Sequence, residues 1–218
     1  MDELSLHLVT DRAQTLGRDL TAVVVECLAA GLPAVQVREK DLTAAELASL
    51  CRRLREPTRE HGALLVVNDR LDVALAVGAD AVQRTGTSLD VADMRAVAGR
   101  RVRVGASVHS LEEAVEAELK GADWVVFGPV FDTPSKRAYG PPQGLDRLAA
   151  VCRGLTIPVI AVGGITPERV GDALQAGAHG VAVISGILAA PSPATATARY
   201  RAAIEAHGRS RAGSRAPR

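Results

Sequence analysis

Short apolar runs alternate along the chain with stretches in which apolar residues return every three or four positions. The runs, at 4–10, 34–40, 63–67, 81–84, 102–106, 124–128, 157–165 and 180–186, predict strands. The stretches between them predict helices with legible ends. One covers 21–30 and closes at Gly31. Thr43 and Glu46 make a capping box ahead of Leu47, Leu50, Cys51 and Leu54, and Pro57 is expected to end or kink that helix. A short helix closes at Gly78, another spans 89–98, and Ser110 with Glu113 opens a third with Leu111, Val115 and Leu119 inward. Thr166 and Pro167 start a helix with the stripe Val170, Ala173 and Leu174, which ends at Gly177. The strands are apolar on both faces, as a parallel sheet covered on both sides requires. Eight strand–helix alternations without a break in composition predict an α/β fold, a single (β/α)8 TIM barrel over 1–207. An open doubly wound sheet is the competing arrangement; the even count and short regular spacing favour the closed barrel. The basic, low-complexity residues 208–218 predict a disordered tail.

Composition narrows the picture. A chain of 218 residues suits one barrel, and 47% apolar residues supply its core. Aromatics are only 2%, so that core must be built from Val, Leu, Ile and Ala. A net charge of +1 argues against a general nucleic-acid binder. No apolar run reaches membrane-span length, and Met1-Asp2-Glu3 is acidic where a secretion signal needs positive charge. Cys27, Cys51 and Cys152 are isolated and odd in number, so they read as reduced core residues of a cytoplasmic protein. These features leave a homo-oligomer open.

The polar residues collect at the C-terminal ends of the predicted strands, where barrel enzymes keep their sites. Gln36, Arg38 and Lys40 follow strand two, Asn68 and Asp69 strand three, and Ser107 strand five; Thr133, Ser135 and Lys136 lie after strand six. Three cations, one carboxylate and several neutral donors suit a polyphosphate held with Mg2+, which takes oxygen ligands and shares phosphate. Backbone N–H groups after Gly163-Gly164 and at Ile184-Ser185-Gly186 can converge on an anion, although those glycines could simply turn the chain. The polar residues have plainer roles as well. Arg38 could pair with a neighbouring carboxylate, Asn68-Asp69 could cap the next helix, and Lys136 could be a solvated loop charge.

Together, Val35-Gln36-Val37-Arg38-Glu39-Lys40, Val67-Asn68-Asp69-Arg70, Phe127-Gly128-Pro129-Val130-Phe131 with Thr133-Pro134-Ser135-Lys136, and Val162-Gly163-Gly164-Ile165 with Val183-Ile184-Ser185 resemble the thiamine-phosphate synthase family. The resemblance spans about residues 6–188 and keeps the motifs in the same order on the same strands. The segments from Val82-Gln83 through Leu89 and Ser107-Val108-His109-Ser110-Leu111-Glu112-Glu113 also resemble a thiazole tautomerase branch of that superfamily. The resemblance implies a transferase reaction. A hydroxymethylpyrimidine diphosphate loses pyrophosphate, and the nitrogen of a thiazole phosphate attacks the resulting methylene. It also implies roles by position. Gln36, Arg38, Lys40, Asn68 and Lys136 would bind the diphosphate, Asp69 would bind Mg2+, and Ser107 would contact the pyrimidine. Thr133 and Ser135 would hold the thiazole phosphate with the N–H groups of Gly164, Ile184 and Ser185. Arg38, Lys40, Ser107 and Lys136 form the expected catalytic set, while Glu39 and Pro134 lie within the substrate-binding motifs. A leaving pyrophosphate needs its growing charge neutralised, and a dissociative step forming a pyrimidine cation needs no protein nucleophile.

Two positions depart from the pattern. The family's second metal-binding aspartate aligns with Ser88, two residues before Asp90. The proton-transferring histidine of the tautomerase aligns with Pro129, which cannot transfer one, and His109 is the histidine nearest a catalytic strand end.

Overall fold

The computed structural model describes residues 2–133, 137 and 140–214, with side chains to 209. Eight parallel strands close on themselves in chain order: β1 (Leu6–Val9), β2 (Ala34–Val37), β3 (Leu64–Asn68), β4 (Ala81–Arg84), β5 (Arg103–Val108), β6 (Trp124–Phe127), β7 (Val159–Val162) and β8 (Gly180–Val183). Closure is made by β1 against β8, where Leu6 pairs with Val181 and Leu8 with Val183. The helices between them are α1 (Leu20–Ala29), α2 (Ala44–Glu60), α3 (Leu71–Val77), α4 (Val91–Ala98), α5 (Leu111–Leu119), α6 (Gly144–Gly154) and α7 (Pro167–Gln175), followed by the short α8 (Ser185–Leu188) and the long α9 (Pro193–Ser214). The (β/α)8 barrel expected from the patterning is therefore the fold, and the open doubly wound sheet is not.

Strand alternation divides the apolar residues into two cores. Leu6, Leu8, Val35, Val37, Leu65, Val67, Val104, Val125, Phe127 and Val181 face outward and pack under the helices. Val9, Ala34, Leu64, Val66, Ala81, Trp124, Val126, Ile160 and Ala182 fill the barrel interior. The interior mixes small and large residues so that the layers interdigitate. Gly105 is an example: a Cβ there would strike the Trp124 indole and the Gln83 side-chain oxygen.

The helices correct three local expectations. Pro57 lies inside α2 and does not end it. Leu54 and Thr58 stay buried on either side of it, so packing carries the helix on to its last turn despite the missing N–H. The inward stripe of α5 is Leu111, Ala114 and Ala117, and Leu119 is 82% exposed. It sits about 200° round the helix from Ala117 and so faces solvent. The helix expected from 89 starts at Val91, with Asp90 as its N-cap; the Asp90 carboxylate accepts from the Ala92 N–H. At the end of the chain, α9 passes residue 207 and keeps a helical backbone to Ser214, and Glu205 pairs with Arg201 and Arg209 one turn away on either side.

Candidate active site

The C-terminal mouth of the barrel has two chemically different halves. On the side of β2 to β5, each strand sends one polar side chain inward: Gln36, Asn68, Gln83 and Ser107. Gln36 Nε2 donates to Asn68 Oδ1 at 3.0 Å, so the Asn68 amide group keeps its own N–H donors for a ligand. Gln83 Nε2 donates to Ser107 Oγ at 3.0 Å. Arg38 stands two residues past Gln36, half-buried at the rim, and Lys40 is exposed beyond it. Across the mouth, β6 to β8 present Val126, Val162 and Ile184, which belong to the inner core and form an apolar wall.

Asp69 follows Asn68 and adopts a left-handed backbone, φ +68°, which is uncommon for a residue with a side chain and recurs at functional sites. Its N–H donates to the Gln83 carbonyl at 2.9 Å, and its Oδ1 accepts from the Ser88 hydroxyl. Ser88 Oγ in turn accepts from the Thr85 N–H at 2.8 Å. The Ser88 hydroxyl is thus spent on holding Asp69. Asp90 is committed elsewhere: besides capping α4 it pairs with Lys120 at 2.7 Å, which holds its pKa below the usual carboxylate value. Among the described residues no three His, Cys, Asp or Glu side chains gather to hold a metal. The donor set is one half-buried carboxylate amid hydroxyls and amides. That suits a hard cation that brings its own phosphate and water ligands, as Mg2+ does, and not a closed all-protein cage.

The expected anion seat lies on the apolar side. The loop after β6 is stitched onto the loop after β7: Val130 N–H donates to the Val162 carbonyl at 2.8 Å, and Phe131 N–H to that of Gly163 at 3.0 Å. Gly164 has φ +63°, and a Cβ on it would come within 2.6 Å of the Asp132 carbonyl. Only glycine lets these two loops meet so closely. From below, the Tyr200 hydroxyl of α9 donates to the Ile165 carbonyl at 2.9 Å and lies against Gly186, bracing both glycine loops. Ile184 and Ser185 open the short α8, in which the Ile187 and Leu188 N–H groups donate to the Ile184 carbonyl and the Ser185 N–H has no acceptor within the helix. Arg169 reaches back from α7, donates to the Gly164 carbonyl at 2.9 Å and lies over the Phe131 ring, which puts an unforeseen cation beside the seat.

The remaining sequence candidates fall as follows. Thr133 is half-buried in the loop after β6. Pro134, Ser135 and Lys136 lie outside the described residues. Glu39 is buried and its carboxylate is bound to the loop after β1. It accepts from Thr10 Oγ1 at 2.6 Å and from the Arg12 N–H at 3.1 Å. His109 is exposed, with Nδ1 2.7 Å from the Gly128 carbonyl, next to Pro129. Patterning did not single out Gln83, Trp124 or Tyr200, because buried amides and aromatics read as core in a sequence. Gln83, placed like Gln36 on an inward-facing strand position, carried the only usable signal.

The family model described as thiamine monophosphate synthase matches residues 6–187. The chain belongs to this family. A putative thiamine-phosphate synthase from Geobacter sulfurreducens is 49% identical over 191 residues, 88% of this chain and 90% of the relative. The thiamine-phosphate synthase from Chloroflexus aurantiacus is 39% identical over 199 residues, 91% and 92% of the two chains. Among solved structures, a thiamine phosphate pyrophosphorylase from Pyrococcus furiosus superposes with a TM-score of 0.87 at 37% identity, covering 94% of this chain and 97% of that one. The thiamine monophosphate synthase match thus covers all eight strands and both halves of the mouth.

Proposed function

We propose that this protein is a Mg2+-dependent, cytoplasmic thiamine-phosphate synthase. It joins 4-amino-2-methyl-5-hydroxymethylpyrimidine diphosphate to a thiazole phosphate and releases pyrophosphate. The observation that carries the reading is the two-sided mouth. Amides and cations on β2 and β3 stand opposite an apolar wall with a second, separate anion seat. A site for one diphosphate and one monophosphate, with a planar heterocycle between them, needs that division.

In this reading Arg38 and Lys40, with Lys136 from the loop after β6, neutralise the leaving pyrophosphate, and Gln36 and Asn68 fix its oxygens. Asp69 would hold Mg2+, which supplies charge stabilisation to the departing diphosphate. Ser107 contacts the pyrimidine. Gly164, Ile184 and Ser185 bind the thiazole phosphate through backbone N–H groups, with Thr133 and Ser135. No protein nucleophile is called for, since the thiazole nitrogen is the nucleophile and the pyrimidine methylene carries the developing cation. The apolar wall keeps competing water away from that cation. Thiazole isomerisation needs a proton-transferring group within hydrogen-bond reach, and Pro129 offers none where the tautomerase branch has one.

Calorimetric titration tests the reading. The pyrimidine diphosphate is expected to bind at least tenfold more tightly with Mg2+ than with EDTA, and Asp69→Asn to remove most of that difference. Equal affinity in both buffers would overturn the assignment of Asp69. Isomer exchange of the thiazole followed by NMR is expected to stay near the rate without protein; exchange rivalling condensation would overturn the choice of branch, with His109 the first base to test.

A further inference from the structure

We propose that Gln83 and Trp124 are positioning residues that hold the Ser107 hydroxyl as a hydrogen-bond donor toward the bound pyrimidine. The inference rests on the reading of Ser107 as a pyrimidine contact.

It starts from a group with a single hydrogen-bonding role. Trp124 fills the barrel interior, wholly buried, with its ring edge-on to His7 at 6.1 Å between centroids. An indole N–H can only donate. Its partner is Gln83 Oε1, at 3.1 Å in a buried bond. That contact decides which end of the Gln83 amide is oxygen. The NH2 end must then face the other way, and there it donates to Ser107 Oγ at 3.0 Å. A hydroxyl accepting from an amide N–H turns its own hydrogen elsewhere, and among the described residues that hydrogen has no partner. Ser107 is half-buried on the inward face of β5, near the strand's catalytic end. Its O–H is therefore left to donate to a ligand in the mouth. A donor there matches a ring nitrogen of an aminopyrimidine and mismatches the exocyclic amine, which is itself a donor.

The surroundings leave the relay no other setting. Gly105, paired with both Gln83 and Trp124 in the sheet, has no side chain, and a Cβ there would strike the indole and the Gln83 oxygen together. Gln83 is wholly buried, so its amide cannot turn over without leaving the indole N–H unsatisfied in the core. The barrel's interior aromatic thus sets the polarity of a hydroxyl two hydrogen bonds away from it, on the neighbouring strand, at the ligand surface.

The test is a double-mutant cycle read by calorimetric titration of the full-length protein with the pyrimidine diphosphate in Mg2+ buffer. Ser107→Ala and Gln83→Met are each expected to weaken binding by roughly threefold to tenfold, the range of one neutral hydrogen bond. The double variant is expected to lose no more than Ser107→Ala alone, and thiazole phosphate affinity to stay within twofold in all three. Trp124 is the chain's single tryptophan, so emission reports on the relay directly; Gln83→Met is expected to shift it to the blue. If Gln83→Met does not fold, Trp124→Phe replaces it in the cycle. That variant keeps a ring but frees the amide, and is expected to weaken pyrimidine binding twofold to threefold with the same non-additivity. Wild-type pyrimidine affinity in the relay variant beside a clear loss in Ser107→Ala overturns the relay and leaves the Ser107 contact standing. Additive losses, or equal losses for both substrates, also overturn it. No loss in Ser107→Ala overturns both the contact and the relay.

Discussion

Glu39 gives the sharpest quantitative prediction, because its motif and its geometry point in different directions. The motif 35–40 runs along residues expected to bind substrate, yet the Glu39 carboxylate is only a few per cent exposed and is taken up by the loop after β1. It accepts from the buried Thr10 hydroxyl, the Arg12 N–H and the Arg12 guanidinium. Thr10 Oγ1 in turn accepts from the Arg38 N–H at 2.9 Å, so the carboxylate indirectly sets where Arg38 leaves β2. In Glu39→Ala the Thr10 hydroxyl loses its acceptor in the core, at about 1–3 kcal/mol, and the backbone N–H of Arg12 loses about 1 more. The Arg12 ion pair adds little, since its guanidinium is two-fifths exposed and keeps Asp41 as a partner. The total is about 3 kcal/mol, or a fall in melting temperature of roughly 6–12 °C for a chain of this size. Glu39→Gln keeps the shape and one acceptor and should lose about a third of that. Melting followed by circular dichroism reads the stability, and calorimetric titration reads the pyrimidine diphosphate affinity, expected within threefold of wild type in Glu39→Gln. A Glu39→Ala protein melting within 2 °C of wild type, or a Glu39→Gln protein that is stable but loses the ligand tenfold, refutes the structural role.

Three further predictions follow from other parts of the barrel. His7 is fully buried with neither ring nitrogen hydrogen-bonded, and burial, aided by Arg103 and His179, pushes its pKa down to about 4 from an ordinary 6.5. The unfolded chain therefore binds the extra proton first, so stability should fall as pH drops from about 6.5 toward 4, by about 3 kcal/mol in all; His7→Phe should flatten this acid limb in urea titrations across that range, and an unchanged limb would show that other groups cause it. Ser88→Asp places a second carboxylate beside Asp69 and should lower the Mg2+ concentration needed for half-maximal turnover and for binding seen by calorimetry; if Asp90→Ala moves that curve and Ser88→Asp does not, Asp90 is the ligand despite its bonds to Ala92 and Lys120. Gly164→Ala must fit a side chain at φ +63° against the Asp132 carbonyl and should raise the KM for thiazole phosphate by about tenfold or more while sparing the pyrimidine diphosphate; a loss shared by both substrates would point to general unfolding of the loops.

The fold was legible because strand and helix periods differ and every strand was capped by a change of chemistry. Val35 and Val37 against Gln36 and Arg38 already separate an outer from an inner face, and the structure keeps that division. Helix detail was less legible where several phases fit. The stripe of α5 is two alanines behind Leu111, which carry a weak signal, and the exposed Leu119 drew attention to the wrong face. Ser88 and Asp90 both suit an N-cap, and only the start of α4 at Val91 separates them. Gln36, Asn68 and Ser107 in the polar half of the mouth were legible from strand ends; Gln83 between them was not. The direction of Glu39 was not legible either, because the strand ends at Val37 and alternation stops with it. Gln83, Trp124 and Ser107 lie on three strands, up to 41 residues apart, and a contact over that separation leaves no local pattern.

The central claim is the condensation itself. Purified protein incubated with the pyrimidine diphosphate, thiazole phosphate and Mg2+, and analysed by mass spectrometry together with a pyrophosphate assay, tests it directly. The account predicts thiamine phosphate and pyrophosphate in equal amounts, formed at a rate that depends on protein concentration and is cut about 10²–10³-fold in Lys136→Ala. Folded protein that yields no thiamine phosphate above the rate without it would contradict the account.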